Sequence, residues 1–304
     1  MKLLLLTLLF PVTLSAQAPG VAIVDQSRPG LKKEKTAISD QVESLMEDEK
    51  LLPLEETKAA LKNPTPQKFE LPATRNTRLS PPEIAETVSK SLFRVGWGYL
   101  CESCDHWHVS LAGGYAVSGD GVIATCAHVI DTDGMKIRKG GLIAVDQSGK
   151  VYPVKAILAN HDKMDAALVK IDCKTTPLPL NDQIRPGDLA FCLSRPLGQR
   201  DYFSKGMVNR FYWDNHQRGD DDFSLHALAH LKLNVSSRWA QGSSGSPVVD
   251  RFGNAIGHVA LIHPLSKGSP ADLKGKGKGD QTTMITLHTA TPARAVMALA
   301  RSMP

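Results

Sequence analysis

From about residue 92 onward, the hydrophobic positions of the chain come in short runs separated by turns rich in glycine, aspartate and asparagine. Runs such as Gly121–Thr125, Ala166–Ile171 and Leu231–Val235 have the length and the β-branched side chains that are typical of β-strands. Many short strands at close spacing, with almost no helix between them, are characteristic of a β-barrel or a β-sandwich. The sequence therefore predicts an all-β domain over residues 83–304.

The end of the chain has a different periodicity. In Thr291–Arg301, Pro292 suits a first helical turn, and Ala293, Val296, Met297 and Ala300 fall on one face. We expect a helix there, after the last strand.

Residues 19–82 are rich in lysine, glutamate and proline and contain one aromatic residue, Phe69. Ser39 can cap a helix that runs to Lys62, and Pro53 would interrupt that helix. We expect a charged, proline-containing linker or pro-segment that is partly helical or disordered.

The first 18 residues form a signal-like pattern. Lys2 precedes the apolar stretch Leu3–Leu14, and the small residues Ala16 and Ala18 follow. This pattern predicts a signal peptide over residues 1–18, with the mature protein in the periplasm or outside the cell. The alternative is an uncleaved anchor, for which the apolar stretch is short. No later segment is apolar enough to span a membrane.

Charge excludes one class of partner. The net charge of +5 is spread along the 304 residues, whereas nucleic-acid binding needs a concentrated basic face. We therefore expect no nucleic-acid partner.

The segment Gly242–Pro247 is the most informative for chemistry. Its run of small residues can turn sharply and present the Ser244 hydroxyl as a nucleophile. The backbone N–H groups of Gly242 and Ser244 could then face one point and bind an oxyanion. Alone, a surface turn explains such a segment equally well.

Two further segments supply a base and an acid. His128 follows the predicted strand Gly121–Thr125, where it could act as a general base. Asp165 directly precedes the predicted strand Ala166–Ile171, where a buried carboxylate could orient that histidine. Taken singly, a structural histidine and an aspartate at a strand start are the simpler interpretations.

Together, these segments resemble the three signature segments of trypsin-like serine proteases. The likeness is greatest to the protease domains, without PDZ, of the bacterial HtrA/DegP-type proteases, and it rests on Thr125-Cys126-Ala127-His128, Asp165–Ile171 and Gly242–Pro247. The resemblance implies two six-stranded antiparallel β-barrels of the chymotrypsin-like kind. It also implies a catalytic triad of His128, Asp165 and Ser244 and an oxyanion hole at Gly242 and Ser244.

The function that the resemblance implies is a secreted serine endopeptidase, a hydrolase that cleaves protein or peptide substrates through an acyl-enzyme and needs no cofactor. Ser243 and Ser246 depart from the family pattern, which has Asn or Asp and then Gly at these positions. The alternative is therefore a catalytically inactive, protease-like peptide-binding module. No Ile-Val-Gly-Gly activation motif precedes the barrels, and the sequence does not fix the number of subunits.

Substrate specificity is assigned by position only. Arg238 and Gln241 precede the nucleophile, and His258, Val259 and Ala260 are expected to supply a wall of the substrate pocket. An Arg238 side chain that faced this pocket would favour acidic substrates.

Five cysteines in an exported chain favour at least one disulfide bond. Cys101, Cys104, His106 and His108 form a second candidate, a metal site, although such closely spaced residues would strain a closed tetrahedral one. A metal- or redox-linked sensor built on this cluster is a third, more remote, interpretation of the protein.

Overall fold

The computed structural model describes residues 26–214, 224–266 and 283–303. The predicted signal peptide, residues 1–18, lies outside the described residues. In the described part of the chain, no helix is both long and apolar enough to cross a membrane.

Six antiparallel strands close the first barrel in the order β1-β2-β3-β6-β5-β4. The strands are β1 (Leu92–Cys101), β2 (Trp107–Ala116), β3 (Val122–Thr125), β4 (Ile137–Val145), β5 (Val151–His161) and β6 (Ala166–Ile171). Their inward positions carry Val95, Trp97, Ile123, Leu142 and Val169, which pack into one buried cluster.

The second barrel repeats this architecture in the order β10-β11-β12-β9-β8-β7. Its strands are β7 (Leu189–Ser194), β8 (Tyr202–Trp213), β9 (Leu231–Val235), β10 (Pro247–Val249), β11 (Ala255–Ser266) and β12 (Thr283–Pro292). A separate core forms around Cys192, Leu233, Val248 and Ile256. Two closed six-stranded barrels followed by a helix confirm the predicted fold class.

From residue 81 onward, the described residues form four α-helices beside the barrels: α3 (Pro81–Ser91), α4 (Ala127–Ile130), α5 (Leu225–Ala229) and α6 (Ala293–Arg301). Helix α3 begins at a capping box in which the Glu83 carboxylate accepts hydrogen bonds from the Ser80 backbone N–H and hydroxyl. Helix α6 is the predicted C-terminal helix; it begins at Ala293, and Pro292 is its N-cap.

The described part of the N-terminal segment contains α1 (Arg28–Glu47) and α2 (Leu54–Lys62). The helical part starts earlier than the predicted Ser39, because the Ser27 hydroxyl caps the Gly30 N–H. Pro53 separates the two helices, as expected of a residue without an N–H group.

Helix α1 is packed against the first barrel. Val42 lies so close to β1 that a Cβ at Gly98 would come within 2.6 Å of it, and only glycine fits there. Gln41 donates to the Gly149 carbonyl and accepts from the Val151 N–H, which fixes the helix to the start of β5.

Candidate active site

His128 lies in the single turn α4, directly after strand β3. Its Nδ1 is 2.9 Å from Oδ1 and 3.0 Å from Oδ2 of Asp165, and its backbone N–H also donates to Oδ1. Half of the His128 side chain is exposed, whereas Asp165 is largely covered. A histidine held at Nδ1 by a carboxylate has its Nε2 available to take a proton.

Asp165 occupies a tight turn before β6. Its N–H donates to the Asp162 carbonyl, and its backbone adopts a left-handed conformation with φ 57°. Such a conformation costs a non-glycine residue about 1–3 kcal/mol and persists only where the surroundings enforce it. The turn aims the carboxylate back at His128.

Two side chains of the second barrel hold this turn from behind. His258 on β11 is fully buried and donates from Nε2 to the Asp165 carbonyl over 3.0 Å. Thr291 on β12 donates to the Met164 carbonyl, also over 3.0 Å. The acid from the first barrel is therefore positioned by the second.

The predicted nucleophile loop lies between β9 and β10. Gly242 and Gly245 have φ of 91° and 77°, a region that favours glycine. None of Ser243, Ser244 and Ser246 has a positive φ. Ser246 is thus accommodated without backbone strain. The Ser243 hydroxyl is buried and donates to Ser194 Oγ.

Close packing joins this loop to the first barrel. The Gly113 N–H donates to the Ser244 carbonyl over 2.6 Å, and a Cβ at Gly245 would come within 2.5 Å of Thr125 Oγ1. Thr125 ends the strand that leads to His128. The chain segments that carry Ser244 and His128 are therefore in contact.

Two backbone donors of the loop are free. Among the described residues, neither the Gly242 N–H nor the Ser244 N–H has a hydrogen-bond partner. The Gln241 carbonyl accepts from the Leu197 N–H over 2.7 Å, and since a trans peptide directs its two polar groups oppositely, the Gly242 N–H faces away from Leu197. The Ser244 hydroxyl likewise makes no hydrogen bond to His128 or to any other described residue.

Electrostatics at the pair favour an ionised acid and a basic imidazole. The hydrogen bond to Asp165 raises the pKa of His128 above its ordinary value, against the opposing effect of burial. Burial alone would raise the pKa of Asp165, but the hydrogen bond and charge of His128 and the charge of His258 outweigh it and lower that pKa. Burial also lowers the pKa of His258.

A buried thiol lies beside the pair. The Cys126 sulfur, the His128 ring and the Asp165 carboxylate have atoms within 4.8 Å of one another. Burial raises the pKa of Cys126 well above its usual value, and its thiol donates to the Val259 carbonyl over 3.0 Å. In this position Cys126 is a buried, protonated thiol that packs behind the His128–Asp165 pair.

The residues predicted to line the substrate pocket do not lie together in the structure. Arg238 is exposed and borders a cavity of about 760 Å³ together with Trp239 and Ala240. Gln241 is exposed in the loop, whereas Val259 and Ala260 are buried. His258 has no exposed surface, and its ring contacts Asp165 instead.

Sequence inspection missed the supporting residues His258 and Thr291 as partners of the acid. Each sits alone in its strand, so no local motif marks it. Their role follows only from the pairing of β11 with β12, which aligns His258 with Thr291.

All five cysteines are free thiols in the structure, which gives no support to the predicted disulfide. Within the candidate metal cluster, Cys101, Cys104 and His108 come together, with ligand atoms within 4.8 Å of one another. His106 is exposed and is not part of this group.

Comparison with known proteins agrees with the fold. Residues 112–257 match the family model of the trypsin-like peptidase domain. The chain is 32% identical over 157 residues to protease Do-like 14 of Arabidopsis thaliana, a match over 49% of this chain and 34% of the relative. It is 26% identical over 198 residues to human serine protease HTRA4, a match over 62% and 39%. The chain thus spans between a third and two fifths of the length of these relatives.

The double barrel, with its His–Asp pair beside a glycine- and serine-rich loop, defines a chymotrypsin-like protease fold. Residues 112–257 are similar to the trypsin-like peptidase domain, and the chain is similar to the HtrA and Do-like serine proteases.

Proposed function

We propose that this protein is an exported serine endopeptidase in which His128, Asp165 and Ser244 form the catalytic triad. The observation that carries the proposal is the His128–Asp165 hydrogen bond of 2.9 Å beside a loop with two free backbone donors. Its substrates are proteins or peptides outside the cytoplasm.

The reaction is acyl transfer. Ser244 Oγ attacks the scissile carbonyl carbon while His128 Nε2 takes the hydroxyl proton. Asp165 keeps the Nδ1–H tautomer and stabilises the imidazolium. The C–N bond then breaks as His128 returns the proton to the leaving amine. A water molecule attacks the acyl-enzyme by the same route and frees Ser244.

The oxyanion of the tetrahedral intermediate is bound by the N–H groups of Gly242 and Ser244. Preorganised donors of this kind account for a large part of such catalysis, and loss of one costs about 10²–10³-fold in kcat. Neither donor has a partner among the described residues, so neither has to break a bond to them before it binds the oxyanion.

The test is covalent labelling with an organophosphonate, followed by peptide mapping. The label should attach to Ser244, and Ser244→Ala should abolish both labelling and cleavage of an unfolded protein. Ser243→Ala is the matched control, because its hydroxyl is buried and should not be labelled. Cleavage that survives Ser244→Ala would refute the triad.

A catalytically silent peptide-binding module is the second candidate. It is favoured by the absence of a hydrogen bond between the Ser244 hydroxyl and His128 among the described residues. Such bonds are often formed only once substrate is present. The silent module predicts peptide affinity with no labelling of the wild-type protein.

Export is proposed from residues 1–18, whose pattern is that of a cleaved signal peptide. The mass of the mature protein recovered from a bacterial periplasm should show that its N-terminus follows Ala16 or Ala18. Full-length protein confined to the cytoplasm would contradict export without affecting the triad.

A further inference from the structure

Cys101, Cys104 and His108 lie at the tip of the β1–β2 hairpin, on strands that carry none of the proposed catalytic residues. Cys101 is the last residue of β1, and its N–H donates to the His106 carbonyl to close the hairpin. His108 pairs with Tyr99 across the ladder, and Cys104 lies in the connecting turn. Residues seven apart in sequence thus converge at one point.

We propose that Cys101, Cys104 and His108 form a binding site for a thiophilic divalent metal ion such as Zn²⁺. The three ligand atoms lie within 4.8 Å of one another, and Cys104 Sγ is 2.9 Å from His108 Nε2. Two thiolates and one imidazole are a donor set that zinc prefers. Zn–S bonds of about 2.3 Å and a Zn–N bond of about 2.0 Å would separate these atoms by about 3.5–3.8 Å. The Cys104–His108 pair would therefore open slightly to admit the ion.

Neighbouring groups hold the ligands in place. The Cys101 sulfur accepts the Ser103 backbone N–H over 3.3 Å, and this contact fixes its direction. The Tyr99 ring stacks on His108, with centroids 5.5 Å apart. Asp105, in a left-handed conformation, is anchored by an ion pair to Arg138 on β4. Outer contacts of this kind orient metal ligands.

Three ligands leave the fourth tetrahedral position open. Cys104 and His108 are exposed, so water or an external group can reach that position. A closed tetrahedral site with all four ligands from residues 101–108 would strain the backbone. A site with three of them avoids that strain.

The test uses the full-length protein, reduced and freed of metal by a chelator, then titrated with Co²⁺ and back-titrated with Zn²⁺ without oxygen. One equivalent of Co²⁺ should give a thiolate charge-transfer band that Zn²⁺ abolishes. Cys104→Ser and His108→Ala should each weaken Co²⁺ binding by about 10–100-fold or more. Cys173→Ser, at a partly exposed thiol elsewhere, should bind normally, and so should Ser244→Ala.

Three results would overturn the site: no cobalt band, a band that survives Cys104→Ser, or a Cys101–Cys104 disulfide in the protein as isolated from the periplasm. The last result would establish the disulfide instead. All of these measurements are independent of protease activity.

A second, separate observation concerns Glu34 on α1. Its carboxylate is 2.9 Å from Arg94 Nη2 and 3.0 Å from Arg195 Nη1, and Arg200 lies 3.9 Å away. All four side chains are largely covered. Burial would raise the pKa of Glu34, but the charges of Arg94, Arg195 and Arg200, with the Arg195 hydrogen bond, outweigh it and lower that pKa.

Arg195 is in direct contact with the nucleophile loop. Its carbonyl lies 3.2 Å from the position a Cβ would take at Gly242. Leu197, two residues on, has φ 53° and donates to the Gln241 carbonyl, the contact that directs the Gly242 N–H. A cavity of about 400 Å³ borders Glu34, Arg195 and Gly242 together.

We infer that Glu34 is a positioning residue that, through Arg195, fixes the 195–198 turn and hence the Gly242 N–H. This inference rests on the proposed function. It makes α1 an internal part of the active enzyme, in a chain that has no motif for activation by a new N-terminal amine.

Glu34→Gln should lower kcat by about 10- to 100-fold with little change in KM, because an oxyanion donor is displaced while substrate contacts persist. Glu34→Asp should recover part of the loss. Glu43→Gln, at an exposed position of the same helix, is the control and should be fully active. Arg195→Met should reproduce the loss while α1 stays anchored through Arg94.

Unfolding curves identify variants that lose activity by losing structure. Equal kcat and equal organophosphonate labelling in wild type, Glu34→Gln and Arg195→Met would overturn this role while leaving the triad intact. Failure of the wild type to label would instead refute the proposed function.

Discussion

The Gly113 backbone N–H donates to the Ser244 carbonyl oxygen over 2.6 Å, which joins β2 of the first barrel to the nucleophile loop of the second. Gly113 has no room for a side chain, since its Cβ would lie 2.2 Å from Ser246 Oγ. The position of Ser244 relative to His128 therefore depends on contact between backbones, which leaves little freedom for adjustment.

Gly245→Ala should abolish activity and lower stability. The new Cβ would lie 2.2 Å from the Gly113 carbonyl oxygen, so the loop must withdraw from the first barrel. Gly149→Ala is the control, since Gly149 also has positive φ but has open space around it; it should cost about 1–2 kcal/mol. In urea unfolding, Gly245→Ala should lower the free energy of unfolding by at least about 2 kcal/mol more than Gly149→Ala does. Equal costs would contradict the contact.

Asp165→Asn should lower kcat by about 10⁴-fold while the fold is retained, because an amide can stabilise the wrong histidine tautomer and cannot balance the imidazolium charge. Steady-state kinetics on a peptide substrate would measure the loss. The exposed Asp162→Asn, in the same turn, serves as the control. A loss of less than tenfold would remove Asp165 from the triad.

The acid limb of kcat/KM should have a midpoint above the ordinary histidine pKa. His128 must be neutral to accept a proton, and the hydrogen bond that its Nδ1–H donates to Asp165 raises its pKa. Activity is therefore lost as pH falls through a value higher than about 6.5. A pH–rate profile measures this directly, and a midpoint below that value would contradict the assignment of His128 as the base.

His258→Phe should destabilise the protein most at alkaline pH. Removal of the Nε2–H donor leaves the Asp165 carbonyl with the weaker Thr291 contact as its one remaining side-chain bond among the described residues, at a cost of about 1–3 kcal/mol. Burial lowers the pKa of His258, so the unfolded chain binds more protons and wild-type stability falls as pH drops below about 6.5. The His258→Phe variant has no imidazole at this position, so it does not lose stability in this way as the pH falls.

The free energies of unfolding of wild type and His258→Phe should therefore converge on acidification. Urea titrations at about pH 8 and about pH 5 would measure the gap. A gap that widens towards acid would mean that His258 is not held neutral in the folded protein.

The fold could be predicted because the short strands and the three signature segments are local patterns, each visible within a few residues. The His128–Asp165 pair followed from the same segments. Glu34 could not be found this way, because its three arginine partners lie on β1 and in the loop after β7, and only the folded chain brings them together. The charged composition of residues 19–82 gave no sign that α1 covers part of the first barrel.

His258 illustrates a second limit. Its position near the nucleophile suggested a pocket wall, yet strands alternate their side chains between faces, and one residue of register decides which way a side chain points. Register shifts within β11 and β12, between Val259 and Leu261 among others, are not visible in the sequence.

The barrel order has a practical consequence for cloning. The stretch that matches the family model, residues 112–257, omits β1, the first half of β2, most of β11 and all of β12. In a fragment cut to that stretch both sheets would lose their closing strands, and the exposed edges would invite aggregation. An expression boundary set by similarity alone would therefore yield inclusion bodies, whereas one that starts before α1 and ends after α6 would preserve two sealed barrels.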